Sequence, residues 1–128
     1  MADDALFIGW GEVVDAFLAA SREGDFDALV ALLDPDVVLR ADGGAVRAEL
    51  SKEIRGAKAV ASEALVFRRM GEFARPALVN GAAGLVAAPH GEPFAVMGMI
   101  IAGGQIVEID ILADPERLSE LDLTVLDD

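Results

Sequence analysis

Two pairs of ionisable residues stand at spacings that could do chemistry. In the stretch Pro35 to Arg47, PDVVLRADGGAVR, Arg40 and Asp42 fall two apart at the end of an alternating strand, just before Gly43-Gly44. A partly buried aspartate needs a cation, so Asp42 is expected to pair with Arg40 or with Arg47. In QIVEIDILADPERL, Glu108 and Asp110 fall two apart on one strand face, flanked by Ile106 and Leu112. Two carboxylates at that spacing could share a pocket. Period-two alternation favours the opposite assignment, with Val107, Ile109 and Ile111 on the core face and both acids in water. His90 is the only histidine and sits in a Pro-His-Gly turn, where it reads as an exposed loop residue. A lone histidine without cysteine makes a poor metal site. Neither Gly43-Gly44 nor Gly103-Gly104 opens a GxGxxG or P-loop pattern, so both pairs read as turns. No metal and no cofactor is expected.

Composition excludes several function classes. The chain has 128 residues, 54% hydrophobic and 26% charged, which suits one globular domain over 1–128. It carries one Trp, six Phe and no Tyr, so its core must be mostly Ala, Val, Leu and Ile, and no phenol is present to donate a proton. Ten basic residues stand against twenty-three acidic ones, a net charge of −13. Duplex nucleic acid is bound by cations that neutralise phosphates, so this balance argues against direct nucleic-acid binding and against an anionic membrane surface. There is no Cys, hence no disulfide or thiolate. The start, MADDALFIGW, lacks the basic head and apolar run of a signal peptide. No apolar run reaches the roughly 18 residues needed to span a bilayer. A cytoplasmic protein is expected.

The elements that must position these residues follow from periodicity. Trp10, Val13, Val14, Phe17, Leu18 and Ser21 form one face of an amphipathic helix that Gly24 ends. Asp25 can cap a second helix with Phe26, Leu29, Val30 and Leu33 on its apolar face, stopped by Pro35. Val37, Leu39 and Ala41 then alternate with Val38, Arg40 and Asp42 as a strand. Residues 45–55 read as an irregular polar excursion, and a third helix is expected from Gly56 or Ala57 to about Arg69. Four short strands follow, Ala74–Asn80, Gly84–Pro89, Pro93–Ala102 and Gln105–Ala113, joined by hairpin-like turns. Asp114-Pro115 opens a last helical turn. Helices segregated to one face of an antiparallel sheet make an α+β domain. The strand Pro93–Ala102 is apolar on both faces, so a second subunit is expected against one of them, giving a homodimer.

This order, with VVDAFLAASREGDFDALVALLDPDVVLRADGG and GGQIVEIDILADP, resembles the SnoaL-like branch of the nuclear-transport-factor-2-like superfamily over about residues 10–118. It is most similar to the C-terminal SnoaL-like domain of extracytoplasmic-function sigma factors, which carry a DGGGK-like loop after the first strand and an NPDKL-like motif after the last. Asp42-Gly43-Gly44-Ala45 stands in the first place and Asp114-Pro115-Glu116-Arg117-Leu118 in the second. Ala45 replaces the third Gly, Val46 or Arg47 the Lys, and Ala113 the Asn. The resemblance implies a cone-shaped bent antiparallel sheet wrapped over about three helices, a cystatin-like roll.

It also implies two functions of different class. One is a non-catalytic regulatory or ligand-sensing domain, without the DNA-binding regions of a sigma factor. Asp114, Pro115, Glu116, Arg117 and Leu118 would then contact a sigma factor or RNA polymerase, and Asp114 could cap the helix that Pro115 opens. The other is a small cyclase-like or isomerase-like enzyme using Asp42 or Asp110 on a small apolar substrate. The isomerase template needs a base near the end of the first strand, which Asp42 resembles, together with a Tyr and a second acid. Phe17 stands where the Tyr would, and Phe94–Ile101 contains no acid. In either case the expected pocket is lined by Trp10, Phe17, Arg40, Asp42, Met97, Met99 and Asp110, and a small apolar ligand would fill it.

Overall fold

A computed structural model of the chain describes residues 2–44, 51–66, 74–79, 82–88, 94–121 and 123–125, with side chains from Glu12 onward other than those of 82–83 and 123–125. Arg47, His90 and the Asn80-Gly81 turn lie outside the described residues, as does the side chain of Trp10. Two helices come first, α1 (Ala2–Glu23) and α2 (Phe26–Leu32). The apolar face read from the sequence is the face that α1 buries, with Val13, Val14, Phe17 and Leu18 inside. Asp25 caps α2 as expected, its carboxylate accepting from the Ala28 N–H at 3.1 Å. Leu33 already pairs with Ile106 and so starts β1 (Leu33–Asp42), two residues before the proline expected to end the helix. Pro35 lies in the irregular stretch between Leu33 and Val38, where the register shifts and a missing N–H is tolerated.

The polar stretch expected to be irregular contains a strand, β2 (Lys52–Arg55), antiparallel to β1. It is an edge strand, and Lys52, Glu53 and Arg55 are exposed while Ile54 alone turns towards the core. Charges on an edge blunt its tendency to pair with other chains, and they hide the alternation by which strands are recognised. The third helix, α3 (Ala57–Val66), buries Val60 and Ala61. Strands β3 (Ala74–Val79), β4 (Ala82–Ala87), β5 (Ala95–Ala102) and β6 (Gln105–Leu112) follow. The β5–β6 turn has φ of 61° at Gly103 and 77° at Gly104, the pair of positive values that a type I′ hairpin demands. After α4 (Pro115–Leu118) the chain adds β7 (Leu123–Val125), an edge strand on β3 that the sequence reading did not anticipate.

The sheet order is β2-β1-β6-β5-β4-β3-β7. Its pairs are antiparallel except β1 with β6, which run parallel, so the sheet is mixed. The architecture is α+β, with α1, α2 and α3 on one face. Leu29, Leu33, Val37, Val60, Ile106 and Ile109 are fully buried there. The opposite face has a smaller cluster in which Leu118 of α4 packs on Ala77, Val86 and Val96. The second apolar face of β5 is thus covered at one end by the chain's own α4, while Ile100 at the other end stays 53% exposed. No described helix is long and apolar enough to cross a membrane.

Candidate ligand-binding site

Between the helices and the sheet lies a cavity of about 190 Å³. Its wall takes Phe17, Leu18 and Ser21 from α1, Val60, Glu63 and Ala64 from α3, and residues from β1 to β6. Many of these are alanines, at 41, 64, 74, 87, 95 and 113. Short side chains on facing elements leave space that larger ones would fill. The predominantly aliphatic, aromatic-poor composition therefore has a local consequence: the wall is hydrocarbon.

Of the residues singled out by sequence, Phe17, Asp42 and Met97 line this cavity. Met99 is buried in the core on the same sheet face but is not part of the wall. Arg40 and Asp110 are exposed and stand outside the wall. Ile109 and Ile111 face the core, which sends Asp110 to the opposite side of the sheet. Ile106 is buried too, although it precedes Glu108 by two, because the β5–β6 register slips by one residue between Ile100 and Ile101.

The expected contact of Asp42 with Arg40 does not form. Arg40 instead donates to Glu53 at 3.1 Å and to Glu108 at 3.0 Å. In the sheet Arg40 lies opposite Glu53 on one side and Asp110 on the other, and cross-strand neighbours are closer than residues two apart on one strand. On this face Glu108 is held below the usual carboxylate range, first by a hydrogen bond from Asp110 and then by one from Arg40. Asp110 is pushed up to about 6, first by partial loss of solvent and then by the adjacent Glu108, against the pull of Arg40.

Asp42 is paired by the other motif. Its Oδ2 accepts from Arg117 Nη1 at 2.6 Å, its Oδ1 from the Gly44 N–H at 2.8 Å, and its carbonyl from the Ala113 N–H at 2.8 Å. Asp114 caps α4 by accepting from the Glu116 N–H at 3.1 Å, Pro115 is at the first turn, and Leu118 is buried. Gly44 has φ +67°, and a Cβ built there would lie 2.6 Å from Asp114 Cγ. The glycine loop after β1 and the Asp-Pro motif after β6 are therefore one packed unit.

Three features of the site were not read from the sequence. Arg117 is the partner of Asp42. Lys52 and Glu63, both in the wall, form an ion pair at 2.5 Å, with side chains 35% and 20% exposed. The Ser21 hydroxyl, in the wall and 6% exposed as a residue, has no hydrogen-bond partner among the described residues. A serine inside an otherwise apolar helix stripe was the signal for it. Among the described residues no group of three or more His, Asp or Glu is arranged to hold a metal ion.

Neither a protein-family model nor a curated protein sequence matches the chain. Solved structures do. The Mycobacterium tuberculosis extracytoplasmic function sigma factor SigJ superposes with a TM-score of 0.68 at 24% identity, covering 84% of this chain and 43% of SigJ. An NTF-2 like protein of unknown function from Burkholderia xenovorans LB400 gives 0.53 at 17% identity, covering 94% and 86%. The fold is nuclear-transport-factor-2-like. An LEH-like epoxide hydrolase from M. tuberculosis, at 0.53 and 22% identity over 88% of each chain, has the same architecture. Nuclear-transport-factor-2-like folds thus stand beside both a sigma factor and an enzyme, and a shared fold does not choose between them. The chain spans less than half of SigJ.

Proposed function

We propose that this chain is a non-catalytic, ligand-sensing domain of the SnoaL-like kind, which takes up a small apolar molecule. The observation that carries this reading is the state of the cavity. Its wall is hydrocarbon, and the charged residues in it are engaged: Asp42 by Arg117 and the Gly44 N–H, Lys52 and Glu63 by each other. Concave, mostly apolar space with few polar groups is the usual setting for small-molecule binding. A general base would need to be free to reach its proton. The enzymatic alternative would use Asp42 or Asp110. The Asp42 carboxylate is tied into a turn and an ion pair, and Asp110 is on the other face of the sheet.

The regulatory side of the proposal rests on the likeness to SigJ and on the exposed Glu116 and Arg117 of α4, which offer a surface to a sigma factor or polymerase fragment. The ligand-binding side is tested by equilibrium dialysis with toluene. The wild-type protein should take up about one equivalent, and Ala64→Phe, which places a ring in the cavity, should take up none. Uptake that is absent in the wild type, or equal in the two proteins, sinks the reading.

A further inference from the structure

Among the described residues of the cavity wall, one polar group is not used by the fold. Ser21 lies near the end of α1, one turn beyond Phe17 and Leu18, and all three are in the wall. Its residue is 94% removed from solvent, and its Oγ has no partner among the described residues. Helical serines commonly return their hydroxyl to the carbonyl one turn back, and this one does not. Buried polar groups are almost always satisfied, so an exception calls for a cause. Next to it, Arg22 Nη2 donates to the Ala74 carbonyl at 2.8 Å, and Ala74 is itself in the wall. That bond ties the end of α1 to β3 and holds Ser21 in place.

Resting on the reading of the cavity as a ligand site, we infer that Ser21 is its specificity-determining residue, and that the ligand is a neutral, largely hydrocarbon molecule carrying one hydroxyl or carbonyl that bonds to Ser21 Oγ. Size follows from volume. An apolar cavity of about 150 Å³ accommodates benzene, so about 190 Å³ suits a ring or chain of roughly six to ten heavy atoms. Charge follows from the wall. Lys52 and Glu63 neutralise each other, and an ionised ligand group among hydrocarbon would be left uncompensated.

The test is calorimetric titration of p-cresol and of toluene into wild-type protein and into Ser21→Ala, with a thermal melt to show that the variant is folded. Removing the hydroxyl should weaken p-cresol about tenfold, the worth of one hydrogen bond, while toluene binds the variant as well as or better than the wild type. If both ligands change by the same factor, or p-cresol is unaffected, Ser21 is not the anchor and the inference falls while the cavity reading stands. If toluene binds the wild type but p-cresol does not, the inference falls in the same way. If neither ligand binds the wild type, both readings fall.

Discussion

Replacing Gly44 with alanine probes the junction of the two motifs. Gly44 has φ +67°, a conformation that costs a residue with a Cβ about 1–2 kcal/mol. The new Cβ would also stand 2.6 Å from Asp114 Cγ, 2.7 Å from Oδ2 and 3.0 Å from Cβ. Since the Asp114 Cβ is itself in the way, rotating the carboxylate is not enough and the whole side chain must move. Its cap on the Glu116 N–H is then lost, at about 1 kcal/mol. The sum is about 2–3 kcal/mol, or roughly 8–12 °C in melting temperature for a domain of this size. Urea unfolding followed by circular dichroism would measure it. Asp114→Ala alone should cost about 1 kcal/mol. The double variant should be no less stable than Gly44→Ala, because the cap can be lost only once, which gives a coupling of about 1 kcal/mol. Losses that simply add, or a Gly44→Ala loss below about 0.5 kcal/mol, would refute the argument.

Ser21→Ala removes a buried hydroxyl that has no partner among the described residues, so the empty protein should become more stable by about 1 kcal/mol in the same urea assay; a loss of stability would mean that the hydroxyl is bonded. Asp110 binds its proton more tightly folded than its ordinary value of 3.8 implies, so its contribution to stability is fully present below that value and is lost as pH rises through about 6. Asp110→Asn should flatten that descent between pH 4 and 7, by less than about 1 kcal/mol given the exposure of the site, and an unchanged pH profile of melting temperature would contradict it. The face carrying Ile100, 53% exposed beside Glu108 and Asp110, is expected to pair two copies of the chain. Sedimentation equilibrium should give a dimer that Ile100→Lys dissociates, and a monomer at tens of micromolar would oppose it.

Much of the fold was legible because burial and periodicity agree in this chain. The stripe Val13, Val14, Phe17 and Leu18, the alternation Val37, Leu39 and Ala41, and the Gly103-Gly104 turn each state their structure locally. What escaped the sequence was decided by pairing. Lys52–Arg55 is a strand because β1 offers it an edge, and its charges conceal the alternation. Leu123–Val125 is a strand because β3 has a free side. The one-residue slip opposite Val107 buries Ile106 as well as Ile109, which no uniform alternation allows. The site shows the same division. The two motifs were visible as sequences, but their contact through Asp42 and Arg117 spans 75 residues and depends on the parallel pairing of β1 with β6. A cavity is a property of facing alanines on separate elements, and no single segment announces it.

On the reading proposed above, the space beneath the helices, not the outer face of the sheet, receives an apolar ligand. Methyl-labelled NMR titration with toluene tests it most directly. The expected result is saturable shifts at Ala41, Ala64, Leu85, Met97 and Ile111, which line the cavity, with Ile100 on the opposite face unmoved. Shifts centred on Ile100, or none at the cavity methyls at saturating ligand, would contradict the account.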